Sequence, residues 1–339
     1  MPVRALWFRG GALYLLDQRA LPGRTVVRRL TRVDQVAEAI RTLTVRGAPA
    51  IGVAAAYGMV LAHGQGKYRP ERAAAILRAT RPTAYDLFVG IETVRTAWVE
   101  GRDVLEAAEA YREEIVEECH RIGTAGAPLL ARAKQVLTHC NAGALATVEW
   151  GTALAPIRVA RERGARLFVW VDETRPLLQG SRLTAWELAR ERIPHAVIAD
   201  NAAGYYLASG QIDAVIVGAD RIARNGDFAN KIGTYEKAVV AHENGVPFYV
   251  AAPWSTFDAD RPNGSAIPVE ERAEEEVLSV GGRRLAPRAS RARNPAFDVT
   301  PARYVTAFIT PAGVVRPRDV ARTLARENER KGSGPRPPR

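Results

Sequence analysis

VLTHCNAGALAT, residues 136–147, passes from a short apolar run through a thiol into small residues with helical spacing, and that junction sets the reading of the C-terminal half. Val136 and Leu137 read as the end of a buried strand and Ala142 to Thr147 as the first turns of a helix. Cys140 then lies near a helix N-terminus, where unpaired N–H groups and the positive dipole end favour a thiolate. The position predicts a cysteine pKa below about 8.5. A small buried thiol is the plain alternative.

The strand-to-helix alternation continues downstream. After QVLTHC come the apolar runs RLFVWVDE, HAVIAD, DAVIVGAD and PFYVAAP, with helical patterns such as LTAWELARER and TYEKAVVAHENG between them. Several runs are apolar enough to be buried on both faces, which a parallel sheet covered by helices requires. Residues 133–330 are therefore expected to form a doubly wound α/β domain. Upstream, RALWF, ALYLLDQ and VVRRL, separated by Gly10-Gly11 and Pro22-Gly23, predict a small antiparallel sheet. VDQVAEAIRTL, AIGVAAAYGMVLA, AYDLFVGIETVRTAWVEG and VLEAAEAYREEIVEECHRI carry apolar spacings of three and four and predict helices. Residues 1–132 thus read as a smaller, mostly helical domain, and 331–339, KGSGPRPPR, as a disordered basic tail.

Composition narrows the function class. With 339 residues, 47% of them hydrophobic, the chain can bury a sizeable core in about two domains. Its two cysteines, Cys119 and Cys140, make no disulfide framework and point to a reducing compartment. The opening MPVRALWFRGGALYLLDQ, broken by Arg9 and two glycines, fits neither a signal peptide nor a membrane span, so a cytoplasmic location without membrane contact is expected. A net charge of +11 raises the question of nucleic acid. The arginines are scattered, however, and there is no interleaved basic and aromatic motif, zinc-finger spacing or helix-turn-helix signal. Attraction of a small anionic substrate explains the charge as well.

The runs finish on chemistry: Cys140, Asp172-Glu173, Asp200-Asn201 and Asp220. In an open α/β sheet the ligand crevice lies at the carboxyl ends of the strands, where these groups would collect. Asp200 and Asn201 serve equally well as a helix cap. Asp220 follows Gly218 and Ala219, which leave room for a ligand near the backbone, and is the stronger candidate. In the other half, TVRGAPAIGVAAAYG places Arg46 and Gly47 ahead of a helix starting near Pro49, an anion-site arrangement, and Arg81 in RPTAYDLF is a second cation. No GxGxxG fingerprint or Walker loop supports a nucleotide. The five histidines form no HxxxH or HxH pair. Cys119-His120 and His139-Cys140 are neighbours whose side chains point apart, so no metal is expected.

The strings RGAPAIGVAAAYG, RPTAYDLF, THCNAGALAT with WGTALAPIR, DETRPLLQGSRLTAWEL, and VGADRIARNGDFANKIGTYE with AAPWSTFD and RNPAFDVTPA closely resemble the methylthioribose-1-phosphate isomerases of methionine salvage. These share a superfamily with the regulatory subunits of translation initiation factor 2B and ribose-1,5-bisphosphate isomerases. The resemblance runs from about residue 3 to residue 320. It implies a homodimer whose small N-terminal domain packs on a Rossmann-like C-terminal one, with Cys140 and Asp220 catalytic. Substrate binding would fall to Arg46, Gly47, Ala48, Arg81, Gln179, Asn230 and Lys231, with no cofactor. One departure is Val148-Glu149-Trp150, where the pair ahead of the aromatic varies.

Under this resemblance Asp220, kept protonated by an apolar setting, protonates the ring oxygen of an aldose 1-phosphate while Cys140 removes the C2 proton. A C2-to-C1 hydride shift is the rival path. Other substrates in view are 5-deoxyribose 1-phosphate and ribose 1,5-bisphosphate. A regulatory subunit of the initiation-factor type would need neither catalytic group.

Overall fold

The computed structural model describes residues 3–81 and 85–330, which leaves the predicted basic tail outside the described residues. Three short strands open the chain, β1 (Leu6–Arg9), β2 (Ala12–Leu16) and β3 (Val27–Leu30), and pair antiparallel in that order, as the turn residues between them predict. Five helices follow: α1 (Val33–Arg41), α2 (Ala48–Gly64), α3 (Pro70–Arg78), α4 (Tyr85–Val99) and α5 (Val104–Gly126). Every residue of α2 from Pro49 to Ala62 is buried. A helix apolar on all sides is a central helix, and α1, α3, α4 and α5 pack around it.

Strands and helices then alternate: β4 (Gln135–Thr138), α6 (Ala144–Thr147), α7 (Leu154–Glu162), β5 (Phe168–Asp172), α8 (Ala185–Arg190), β6 (His195–Ile198), α9 (Ala203–Ala208) and β7 (Ala214–Val217). The chain next adds β8 (Arg221–Ala223), β9 (Phe228–Lys231), α10 (Thr234–Glu243), β10 (Phe248–Ala251) and β11 (Phe257–Asp258). An excursion holds α11 (Glu275–Leu278) and the hairpin β12 (Ser279–Val280) with β13 (Arg283–Arg284). It ends in β14 (Phe297–Thr300), before β15 (Ala307–Thr310), β16 (Gly313–Val315) and α12 (Val320–Arg330) close the chain.

The large sheet has the order β16-β15-β10-β7-β4-β5-β6, parallel except for β16. Its successive residues alternate sides, as pleating demands. Val136, Val169, Val171, Ile216 and Ile309 pack with Ile122, Ile157 and Leu188 in one core. Leu137, Val215, Val217, Val250 and Phe308 pack with Leu207, Ala238 and Leu324 in another. Helices therefore cover both faces, and the strand order reverses between β4 and β7, the place where an open sheet leaves a crevice. A second sheet, β11-β8-β9-β14, continues directly from the end of β7. The sequence reading missed it because its strands are two to four residues long and carry polar side chains. No helix among the described residues is long and apolar enough to cross a membrane.

One residue of α4 sits badly for stability. Asp86 has no solvent exposure, and neither carboxyl oxygen finds a hydrogen-bond partner; the same is true of the hydroxyls of Tyr111 and Ser255. Burial pushes its pKa up to about 6 from an ordinary 3.8. Ser255 comes near enough to favour the charged form without reaching hydrogen-bond geometry, while Asp220 works against that form. A raised carboxyl pKa stabilises the fold fully below the unfolded value and loses that contribution as pH climbs through the folded one. Asp86→Asn, neutral at every pH, should therefore raise the unfolding free energy at about pH 7.5 by about 3 kcal/mol over wild type, with the gap closing near pH 4. Urea unfolding at the two pH values checks this.

Candidate active site

A cleft opens at the carboxyl ends of β4 and β7, and the nine residues to which the family resemblance gives catalytic or binding roles line it: Arg46, Gly47, Ala48, Arg81, Cys140, Gln179, Asp220, Asn230 and Lys231; the other strand-end candidates, Asp172, Glu173, Asp200 and Asn201, do not. Cys140 leaves β4 with φ of 62°, a left-handed conformation uncommon outside glycine. Neighbours hold it there: its N–H donates to Thr174 Oγ1 at 2.9 Å and its carbonyl accepts from Thr184 Oγ1 at 2.6 Å. Strained backbone of this kind persists where the surroundings over-determine it.

The expected thiolate at a helix end is not what the structure supports. α6 begins only at Ala144 and is four residues long, so its dipole is short. Burial pushes the Cys140 thiol up, Arg46 and Lys231 pull it back down, and Asp220 pushes it up again. Asp220 follows β7, and its N–H donates to Ala229 O at 2.9 Å in the second sheet. Burial raises its carboxyl pKa against the pull of Lys231, Arg81 and Arg46. Lys231 is pushed down by burial and up by Cys140 and Asp220; its Nζ donates to Ala296 O at 2.9 Å and lies 4.6 Å from the centre of the Phe297 ring.

Arg46 enters from the opposite wall. Its Nε donates to Gln18 Oε1 at 3.1 Å and one terminal nitrogen to Asn141 O at 3.0 Å, while the other meets Asn141 Oδ1. Gly47 has φ of 92°, and a Cβ there would stand 2.4 Å from Ala146 O, so only glycine brings the α2 N-terminus against the loop after Cys140. Arg81 donates to Glu270 Oε2 at 3.4 Å; residues 82–84 of its motif lie outside the described residues. Gln179 is buried, and its Oε1 has no partner among the described residues, while Asn230 Nδ2 donates to Thr234 Oγ1 at 2.9 Å.

Several site residues escaped the sequence reading. Glu187 has no exposed surface, yet its carboxylate accepts from Ala144 N at 2.8 Å, Leu145 N at 3.2 Å, Asn141 Nδ2 at 2.9 Å and Arg158 Nη2 at 2.7 Å. It caps α6 from a distant helix and steers Asn141, which in turn holds Arg46. A Cβ on Gly143 would come within 2.4 Å of that carboxylate, which accounts for the glycine of the THCNAG motif. The signal was present as an acidic residue inside the apolar pattern LTAWEL. Arg272 also lines the cleft, hidden in a charge run that reads as a solvated face.

Asp200 caps neither helix of the segment after β6. Its two oxygens accept from Thr174 N at 2.7 Å and Arg175 N at 2.6 Å, fastening the loop after β5. Ligand-type atoms of His139, Asp172 and Asp200 lie within 4.8 Å of one another. The His139 ring already faces Asp172 Oδ2 and Ile232 O, each at 2.8 Å, and Lys237 Nζ stands 3.9 Å from Asp172. Positive charge for this carboxylate comes from the protein, which makes the group a structural ion cluster behind Cys140.

The model of the initiation factor 2 subunit family matches residues 44–317. A methylthioribose-1-phosphate isomerase of Roseiflexus castenholzii is 51% identical over 93% of this chain and 95% of its own length. The chain belongs to the methylthioribose-1-phosphate isomerase family. A crystal structure of 5-methylthioribose 1-phosphate isomerase from Pyrococcus horikoshii superposes with a TM-score of 0.90 at 44% identity, covering 97% of this chain and 96% of that one. A 5-deoxyribose 1-phosphate isomerase of Moorella thermoacetica is 49% identical over 96% of this chain and 99% of its own. This isomerase family thus includes relatives named for two different sugar phosphates.

Three outcomes follow for these side chains. Glu187→Gln leaves Arg158 and the α6 amides short of an anion and should cost about 3 kcal/mol in chemical unfolding. Alkylation of Cys140 by iodoacetamide should reach its pH midpoint above that of an ordinary free thiol. In Lys231→Met, without the nearby ammonium, the midpoint should rise further.

Proposed function

We propose that the chain is an aldose-ketose isomerase that converts 5-methylthioribose 1-phosphate to 5-methylthioribulose 1-phosphate in methionine salvage. The observation that carries this reading is one cleft lined together by Cys140, Asp220 and the cations Arg46, Arg81 and Lys231. A phosphate on the anomeric carbon prevents simple ring opening, so the ring C–O bond needs an acid at oxygen. Asp220, its pKa raised by burial, supplies that proton. Cys140, ionised with help from Arg46 and Lys231 against the cost of its burial, takes the C2 proton, and the bond from C1 to the ring oxygen breaks as C1 and C2 become doubly bonded. The thiol then returns its proton to C1, and Asp220 recovers one from the C2 hydroxyl as the ketone forms. No net proton is gained or lost over the cycle.

Arg46, Gly47, Ala48, Arg81 and Lys231 bind the phosphate, with the α2 N-terminus adding its amides, and Gln179 and Asn230 meet the sugar hydroxyls. A side chamber walled by Ile51, Tyr85, Ile267, Pro268 and Phe297 also takes in Arg81, Asp220 and Arg221, the last neutralised by Asp258 at 2.9 Å. Its apolar walls suit a methylthio or methyl group at C5 better than a second phosphate. This supports methylthioribose 1-phosphate first and 5-deoxyribose 1-phosphate second, the substrate in the name of the Moorella relative. In this reading residues 1–132 form the N-terminal domain, residues 133–330 the Rossmann-like catalytic domain, and the cytoplasmic enzyme is a homodimer.

A ketose-formation assay tests the assignment. Wild type should turn over methylthioribose 1-phosphate faster than 5-deoxyribose 1-phosphate and leave ribose 1,5-bisphosphate unchanged, while Cys140→Ser and Asp220→Asn should each lose at least about a hundredfold in kcat. Substrate deuterated at C2 should lose label to water. Any label lost to water excludes a hydride shift, and unchanged turnover in either variant would remove that residue from the mechanism.

A further inference from the structure

Glu270 stands between two arginines of the cleft. Its Oε2 accepts from Arg81 at 3.4 Å and its Oε1 from Arg272 at 3.1 Å. Arg272 is itself anchored: its Nε donates to Glu276 Oε2 at 2.9 Å, and its N–H donates to the carbonyl of buried Asn294 at 2.9 Å. Asn294 closes the circuit by donating to Glu276 Oε2 at 3.0 Å. A carboxylate gripped by such a network keeps its place far better than one of an exposed ion pair.

The network matters because of what faces Asp220. Arg46 comes from the segment before α2, Arg81 from the segment before α4 and Lys231 from β9, and each favours the ionised carboxylate. Cys140 faces it from the end of β4 and Asp86 from α4. Arg221, next in the chain, is neutralised by Asp258 at 2.9 Å. Glu270 acts on Asp220 in the opposite sense to the three cations. We propose that Glu270 is a positioning residue, the counter-ion that holds Arg81 beside Asp220 in the cleft and within reach of a phosphate. The inference rests on the reading of Asp220 as the acid and of Arg81 as a phosphate ligand.

Glu270 is partly exposed at the rim, so its replacement leaves the core intact. The experiment is a pH titration of the Asp220 carboxyl by carbon-13 NMR in aspartate-labelled protein, the signal assigned by its loss in Asp220→Asn. Glu270→Gln should lower the midpoint by about half a pH unit or more, the scale of one charge removed at moderate distance in a partly solvated site. Glu270→Asp should stay near wild type. Adding Arg81→Met to Glu270→Gln should move the midpoint back up, because the charge balance is restored. A merely structural role would move none of these values, and a Glu270→Gln midpoint equal to that of wild type overturns the proposal. The titration needs no substrate. Inactivity of the wild type towards methylthioribose 1-phosphate would sink the functional reading, whereas an unmoved Asp220 in an active enzyme would sink this inference alone.

Discussion

A carboxylate with no solvent exposure must find its whole hydration shell inside the protein, and Glu187 finds it in two backbone amides, a side-chain amide and a guanidinium. Desolvating an ion costs several kcal/mol, so a partner lost from this set would leave charge uncompensated. The constraint runs both ways. Glu187 can stay buried only if the chain after Cys140 turns so that Ala144 and Leu145 present their amides. That turn in turn fixes Asn141, and Asn141 fixes Arg46 across the cleft. One ion therefore couples the shape of the thiol loop to the position of a cation supplied by the helical half.

The same low-dielectric setting governs the titrating groups. Burial works against charge on Cys140, Asp220, Lys231 and Arg46 alike, and their mutual attractions partly restore it. Neither a lone thiol nor a lone carboxyl in this cleft would have a useful state to offer. Set among cations, each is drawn back towards its charged form, so the balance of charge in the cleft governs both groups together.

Much of this was legible in the sequence, for reasons that particular residues make plain. Apolar runs ending at Cys140, Asp172, Asp200 and Asp220 mark strand ends because hydrophobic pattern follows burial, and the sheet placed Cys140 and Asp220 on neighbouring strands. The Arg46-Gly47-Pro49 sequence is a local helix-start signal and was equally readable. The second sheet was not, since β8 and β9 owe their pairing to tertiary context rather than to a periodic pattern. The titration of Cys140 was misjudged because local sequence suggests a helix dipole, whereas depth of burial is set by chain segments far away. Glu187, Glu270 and Arg272 look like ordinary surface charges until distant partners are known.

The helical half contributes more than a wall. Because α2 is buried along almost its whole length, its N-terminal amides cannot be satisfied by bulk water, and Pro49 removes only one of them. The end of the helix opens into the cleft beside Arg46, whose guanidinium is already fixed by Gln18 and Asn141. Fixed dipoles and a fixed charge attract an anion without reorganising, so binding energy there is not spent on ordering side chains. Attraction for an anion thus resides in an element that carries neither Cys140 nor Asp220, and Arg81, whose carboxylate partner Glu270 comes from the other half of the chain, ties the two halves together at the cleft.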